Sequence, residues 1–180
     1  IFALLEERGI CSVAELEDYA ANGEFKDFWF REGVERGDKY CLEGYLFPDT
    51  YEFYTNDEPK RVLQKFLNGF DYRFTDIMKE EFEVMKQRYA SMLSKHGYGQ
   101  DYIDANPLTM RDVVIIASMI EKESSGGEED YNISSVIYNR LTNQAEYPYL
   151  NIDATLVYAL GGKEALTEED KALDHPYNTY

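Results

Sequence analysis

The spacing of apolar and polar residues predicts helices from the start of the chain. Residues 1–7 have the pattern of the end of a helix, and Gly9 stands where a helix C-terminal cap is expected. Ser12 and Glu15 have the spacing of a capping box, in which each side chain satisfies a backbone N–H of the first turn. This box predicts a second helix over about residues 13–21.

The middle of the chain has two different patterns. Residues 40–54 are rich in aromatic residues, and Pro48-Asp49 predicts a turn between two short extended pieces. From residue 59 to about 93, apolar side chains recur at every fourth position, which predicts one long helix. The apolar positions of that helix are Val62, Phe66, Phe70, Phe74 and Met78.

The second half predicts a buried helix at the centre of a domain. Thr109 and Asp112 form another capping box, and residues 113–120 are apolar on nearly all sides of the helix they begin. Further helices are predicted at about 129–141, at 154–160 after Asp153, and for one turn after Thr167 with Asp170. The fold predicted is therefore α+β but mostly helical, built around this central helix.

Composition indicates a folded domain with an acidic surface. The chain has 180 residues, 44% of them hydrophobic, with 16 tyrosines and 10 phenylalanines that supply apolar area for a core. The net charge of −17 repels polyanions, and the chain has no run of basic residues. No nucleic-acid partner is therefore expected, and the acidic balance identifies no other partner.

The cysteines, the histidines and the apolar runs argue against a metal site and against a membrane-spanning helix. Cys11 and Cys41 have no metal-ligand spacing with His96 and His175, so no metal site is expected. Two buried thiols are favoured over a disulfide, although sequence alone leaves both open. The longest apolar run, residues 113–120, is far shorter than the ~20 residues that a membrane-spanning helix needs.

Glu123 is the best candidate for a chemical role. It follows Ile116, Met119 and Ile120 at helical spacing, so its carboxyl is expected to lie against an apolar stripe. Partial desolvation there would raise its pKa, as a general acid requires. Glu121 is expected to be less enclosed. Since the chain has 35 acidic residues, this placement alone singles out Glu123 only modestly.

Several sequence blocks resemble the YceG/MltG-like family of endolytic murein transglycosylases. They are LEGYLFPDTYEF at 42–53, IIASMIEKES at 115–124, VIYNRL at 136–141, YALG at 158–161 and YNTY at 177–180. Their order and spacing follow the family pattern. One block departs from it, since the family's LQSDPT is replaced by LNIDAT at 150–155.

The resemblance implies a reaction and a set of site residues. The enzyme would cleave the β-1,4 bond between MurNAc and GlcNAc and leave a 1,6-anhydro-MurNAc end, with Glu123 as the only acid/base and no metal or organic cofactor. The residues it implies for substrate binding are Glu43, Asp49, Asn139, Asp153, Thr155, Tyr177, Asn178 and Tyr180. For Asp49 and Arg140 a structural role, in an ion pair between arginine and carboxylate, is an equal expectation.

The resemblance also implies an organisation and a cellular setting. Residues 1–38 would be the remnant of an upstream LysM-like subdomain with a linker, and residues 39–180 a catalytic domain that lacks its C-terminal end. Peptidoglycan strands would be the partner, together with the cell-wall elongation or division machinery. The domain would act on the extracytoplasmic side of the bacterial membrane, attached through a segment outside this chain.

Two other functions remain as alternatives. One is a non-catalytic peptidoglycan-binding or divisome scaffold module, in which the glutamates at the helix end only solvate the surface. The other is an aminodeoxychorismate lyase that uses pyridoxal phosphate, a label that this family has carried. That enzyme would need a Schiff-base lysine and a phosphate-binding loop. Lys122 is the only lysine near the best motif, and no glycine-rich phosphate loop is present.

Overall fold

A computed structural model describes residues 1–26, 28–163 and 165–180. It contains two compact units. The first comprises Ile1–Phe82 with Thr109–Arg111, and the second Glu83–Leu108 with Asp112–Tyr180. Within the described residues, no helix is long and apolar enough to cross a membrane.

The described residues are mostly helical, as predicted. The α-helices are α1 (Phe2–Glu7), α2 (Val13–Asn22), α3 (Pro59–Arg73), α4 (Asp76–Lys95), α5 (Gln100–Ala105), α6 (Met110–Glu123), α7 (Glu128–Thr142), α8 (Asp153–Ala159) and α9 (Glu168–Lys171). A short 3-10 helix covers Trp29–Arg31. Residues 1–26, 28–163 and 165–180 contain no β-strand.

The predicted capping boxes at Ser12 and Thr167 are confirmed. The Glu15 N–H donates to Ser12 Oγ over 3.2 Å, and the Glu15 carboxylate accepts from the Ser12 N–H over 3.0 Å. Thr167 and Asp170 make the same exchange at the start of α9. These helix starts were predictable because a capping box involves only residues three positions apart.

The prediction of one helix over residues 59–93 is wrong, because the helix is interrupted between α3 and α4. Phe74 leaves the helical conformation, with a ψ of 97°. The next residue, Thr75, accepts the N–H of Met78 on its Oγ1 over 3.3 Å, as a threonine before a helix does. The side chain of Met78 is 40% exposed. The last position of the predicted apolar stripe therefore lies at an exposed site of α4.

The β component of the predicted α+β fold is also wrong for residues 40–54. The rings of Tyr51 and Phe53 pack against Phe66 of α3, with centroids 4.5 and 5.6 Å away. Nearby backbone oxygens accept from side chains: the Glu52 carbonyl from Lys65 Nζ, and the Phe47 carbonyl from the Tyr51 hydroxyl. These contacts of the segment are thus made with α3 and with side-chain donors, and not with a neighbouring strand.

Aromatic rings form the core of the first unit. Phe30 is fully buried, and its ring centroid lies 4.7 Å from Phe70, 4.9 Å from Phe28 and 5.4 Å from Tyr45. Tyr45 is also fully buried. Aromatic pairs at these separations stabilise a core beyond the effect of their buried area. The many aromatic residues of the sequence are thus used in part to build this core.

Helix α6 is amphipathic, so the prediction that it is buried on nearly all sides is wrong. Ile116 and Met119 are buried and form a core with Ile137 and Ile152 of the second unit. Ile115, on another face, is 41% exposed. One stripe of α6 contacts this core and another face is exposed. The apolar sequence of α6 therefore did not require the helix to be buried on all sides.

Both cysteines are buried free thiols, which confirms the favoured prediction. The Cys11 thiol donates to the Asp57 carbonyl over 2.8 Å, and the Cys41 thiol to the Ala20 carbonyl over 3.1 Å. Burial raises the pKa of each thiol. The two side chains therefore act as small apolar groups of the first unit.

Tyr138→Phe should stabilise the protein by about 1 kcal/mol at neutral pH, because the buried Tyr138 hydroxyl makes no hydrogen bond with the described residues. Burial, with the charge of Asp112 next in importance, raises the pKa of Tyr138 from 10.0 to about 12. Between these pH values the unfolded chain loses this proton and the folded chain keeps it. Titration of Tyr138 therefore leaves the free energy of unfolding unchanged below pH 10 and lowers it as the pH rises towards 12.

Urea unfolding of the wild type and Tyr138→Phe at pH 7 and pH 11 measures both effects. The stability advantage of the variant should be larger at pH 11. Tyr131→Phe is the matched control on the same helix, since Tyr131 is 78% exposed. A loss of stability in Tyr138→Phe at pH 7 would show that the hydroxyl is hydrogen-bonded after all.

Candidate active site

Glu123 is the last residue of α6, and its carboxylate is held by another helix. Its Oε1 accepts the backbone N–H of Ala154, in the first turn of α8, over 3.2 Å. The side chain is exposed. The expectation that the apolar stripe of α6 desolvates this carboxyl is therefore wrong, because the stripe faces the core while the helix end projects beyond it.

Asp153 and Tyr180 form a hydrogen-bonded pair beside Glu123. The Tyr180 hydroxyl donates to Asp153 Oδ1. That bond is the main cause that raises the pKa of Tyr180 to about 12, followed by burial and by the charges of Asp153 and Glu123. At neutral pH the phenol therefore keeps its proton and remains a hydrogen-bond donor. A carboxylate, a tyrosine and a second carboxylate thus lie together in the second unit.

Thr179 connects the segment 175–180 to the residues before α8. Its carbonyl accepts the N–H of Asn151 over 2.8 Å, and its Oγ1 accepts the N–H of Ile152 over 2.9 Å. The hydroxyls of Thr179 and Thr155 lie 3.2 Å apart. Because these bonds fix Ile152 directly before Asp153 and Ala154, they help to place the groups around Glu123.

Asn178 fixes the same segment from its other side. Its Nδ2 donates to the carbonyls of Lys171 and Leu173, each over 2.8 Å, and its Oδ1 accepts the N–H of Tyr180 over 2.9 Å. Lys171 Nζ lies 4.7 Å from the centroid of the Tyr180 ring. Asn178 therefore positions Tyr180, and its amide group is engaged with the protein.

Asn139 and Arg140 lie on α7, in the same unit. The Asn139 side chain is exposed and donates to Ser135 Oγ over 3.4 Å. Arg140 NH1 donates to the Leu150 carbonyl over 2.5 Å. Arg140 thus binds a backbone carbonyl just before the block 151–155, instead of the carboxylate that was expected. Both residues border a shallow groove of about 420 Å³.

Glu43 and Asp49 belong to the first unit. The Glu43 side chain is exposed, and its carbonyl accepts from Arg111 NH1 over 3.0 Å. Asp49 forms an ion pair with Arg73 at 2.5 Å, and this hydrogen bond lowers the pKa of the Asp49 carboxyl. The arginine pairing that was expected as one of two roles for Asp49 is therefore present, at a surface position.

Sequence reasoning missed Thr179 and the backbone N–H of Ala154. Thr179 lies inside the YNTY block, between two residues that were selected, so the block itself contained the signal. Ala154 could not be selected by side-chain chemistry, because it acts through its backbone. Among the described residues, no group of three or more histidines, cysteines, aspartates or glutamates is placed to hold a metal ion.

Thr179→Val should lower the free energy of unfolding by about 1–3 kcal/mol, since it leaves the N–H of the buried Ile152 without its acceptor. Valine keeps the shape of threonine, so the loss reports the hydroxyl. Urea unfolding monitored by circular dichroism measures it. Thr50→Val, at an exposed position of the first unit, is the control. Equal midpoints for the two variants would show that this hydroxyl contributes nothing.

The cluster around the exposed Glu123 thus brings two carboxylates and a tyrosine hydroxyl together. Comparison with known proteins then identifies the family. The model of the YceG-like family matches residues 2–180, so the chain belongs to the YceG-like family. The predicted resemblance is thus confirmed.

Curated proteins similar to this chain are named for an activity. Over 158 residues the chain is 30% identical to an endolytic murein transglycosylase of Bacillus subtilis (strain 168), covering 87% of this chain and 37% of that protein. Over 152 residues it is 29% identical to proteins of the same name from Streptococcus pneumoniae strains D39 and R6, covering 81% of this chain and 23% of each. The chain thus spans well under half the length of these relatives.

Proposed function

We propose that this chain carries the acid/base centre of an endolytic peptidoglycan lytic transglycosylase, with Glu123 as its catalytic residue. The observation that carries the proposal is the Glu123 carboxylate, exposed to substrate and held by the Ala154 N–H beside the Asp153–Tyr180 pair. The names of the curated relatives support the same reaction class.

The proposed reaction needs one carboxyl group that gives a proton and later takes one back. The protonated Glu123 donates to the glycosidic oxygen as the bond between that oxygen and C1 of MurNAc breaks. The resulting carboxylate accepts the proton of the C6 hydroxyl, whose oxygen attacks C1. The products are a free GlcNAc hydroxyl and a 1,6-anhydro-MurNAc end, and Glu123 is protonated again.

The neighbours of Glu123 orient it in this scheme. The Ala154 N–H fixes one carboxylate oxygen and leaves the other for substrate. Tyr180 remains a proton donor at neutral pH and holds Asp153 in place. We assign Thr155 and Asn178 to the support of this arrangement, since both are bonded within the protein. Asn139, Tyr177 and the first-unit residues Glu43 and Asp49 remain proposed contacts to the glycan.

A retaining hydrolase is the second candidate, because Asp153 supplies a second carboxylate near Glu123. Such an enzyme needs a nucleophilic carboxylate about 5–5.5 Å from the acid. Asp153 directly precedes the residue whose N–H binds Glu123, so a second carboxylate is near. Its hydrogen bond from Tyr180 favours a positioning role for Asp153 over a nucleophilic one.

The cellular setting follows from the substrate. We propose that nascent peptidoglycan strands are the partner, on the extracytoplasmic side of the bacterial membrane. Contact with the elongation or division machinery belongs to the same proposal.

Digestion of purified glycan strands by the protein, with the products analysed by mass spectrometry, tests the proposal. Anhydro ends that disappear in Glu123→Gln would support the transglycosylase. Reducing ends would instead assign a hydrolase and make Asp153 the candidate nucleophile. Binding of strands without any cleavage, unchanged in Glu123→Gln, would favour the scaffold module.

A further inference from the structure

An exposed group of aromatic rings lies in the second unit, outside the cluster around Glu123. Tyr158 and Tyr177 are 48% and 45% exposed, and their ring centroids are 5.4 Å apart with the planes at 78°. The His175 ring stacks on Tyr177 with centroids 5.6 Å apart. We call these three residues the aromatic platform. Tyr158 and His175 have no role in the reaction proposed above.

Backbone hydrogen bonds order the part of the aromatic platform that contains His175 and Tyr177. The Tyr177 N–H donates to His175 Nδ1 over 3.1 Å, which fixes the imidazole against the tyrosine. The Asn178 N–H donates to the His175 carbonyl over 2.8 Å, and its side chain is bonded to the end of α9. The imidazole would therefore lose little conformational freedom when a ligand packs on the platform.

The aromatic platform shares two chain segments with the groups around Glu123. Tyr158 follows Asp153 by five residues on α8, which corresponds to about 7.5 Å along the helix axis. Tyr177 is three residues before Tyr180, whose hydroxyl is bonded to Asp153. The platform therefore belongs to the same two segments that hold the groups around Glu123.

We propose that the aromatic platform binds a pyranose ring of the glycan strand, at a subsite next to the sugars that are cleaved. The C–H groups on one face of a pyranose ring are slightly positive and pack against the negative face of an aromatic ring. The tyrosine rings of the platform also suit this ligand in a chain whose net charge is −17, because they attract the sugar without a charged group. The inference rests on the proposed function for the identity of the strand.

Binding without cleavage tests the aromatic platform separately from the chemistry. Each platform variant is made in the Glu123→Gln background, and the affinity for intact purified glycan strands is measured by isothermal titration calorimetry. Tyr158→Ala should weaken binding about five- to tenfold, whereas Tyr158→Phe, which keeps the ring, should stay within about twofold. Tyr131→Ala is the matched control, since this tyrosine of the same unit is 78% exposed and lies outside the platform.

Each outcome decides the inference. Equal affinity of Tyr158→Ala and Tyr131→Ala, or no binding by the parent protein, would overturn it. A platform that instead pairs two copies of this chain would show dimers in sedimentation that Tyr158→Ala dissociates, with glycan affinity unchanged. If Tyr158→Ala loses affinity but Glu123→Gln still releases products, the subsite stands and the assignment of Glu123 fails.

Discussion

Glu123→Gln should lower the rate of glycan cleavage by about a hundred- to ten-thousand-fold, the usual contribution of a positioned acid or base. Glutamine keeps the size of the side chain and can still accept the Ala154 N–H through its amide oxygen. It can neither protonate the glycosidic oxygen nor take the proton from the C6 hydroxyl. Initial rates of anhydro-end release from purified strands measure the effect, and strand affinity should change little.

Glu121→Gln is the control for this experiment. Glu121 lies on the same helix, is also exposed, and makes the same change in charge when it is substituted. Its rate should remain within about threefold of the wild type, because surface charges away from the reacting atoms contribute little. If both variants lost activity equally, net charge at the end of α6 would explain the loss and Glu123 would not be the acid/base.

Phe30→Ala should lower the free energy of unfolding by about 3–5 kcal/mol, the range seen for aromatic residues removed from cores. Phe30 is fully buried and contacts the rings of Phe28, Tyr45 and Phe70. Its removal would leave a cavity among side chains that belong to different segments of the first unit. Urea unfolding followed by near-ultraviolet circular dichroism measures the loss.

Tyr54→Ala is the control for Phe30→Ala. Tyr54 lies in the same unit but is 71% exposed, so its substitution should change stability by no more than about 0.5 kcal/mol. Similar losses in the two variants would contradict the view that the aromatic core determines the stability of this unit.

The sequence predicted features that depend on neighbouring residues. The helix starts at Val13 and Glu168 follow from capping boxes, and Gly9 adopts the positive φ of 67° expected after α1. Each feature depends on a few consecutive positions, so the rest of the fold has little influence on it.

Features that depend on distant contacts were not predictable. The break at Phe74 interrupts a pattern that is still apolar every fourth residue, because Thr75 offers the backbone an alternative acceptor. Residues 40–54 have the composition of strands, but whether they pair depends on what lies beside them. Tyr51 packs against Gly69 and Phe66 of α3. A side chain at position 69 would collide with the Tyr51 hydroxyl.

The candidate site was predicted in part. The sequence selected Glu123, and the structure brings Asp153, Thr155, Asn178 and Tyr180 into the same network. The desolvation expected at Glu123 is absent, since sequence periodicity describes the face of a helix and not what covers its end. Thr179 was missed because its importance lies in contacts with residues 151 and 152, nearly thirty positions earlier.

The attachment of the segment 175–180 has a consequence for local stability. Its links to Asn151, Ile152 and Lys171 are mainly hydrogen bonds at partly exposed positions, whereas α6 and α7 share the buried core at Ile116 and Ile137. Such a segment can open at a lower free energy than the whole unit. Amide hydrogen exchange should then be faster at residues 151–152 than at Ile137. The hydrogen bonds between the segment 175–180 and the residues near Glu123 would thus open while α6 and α7 remain folded.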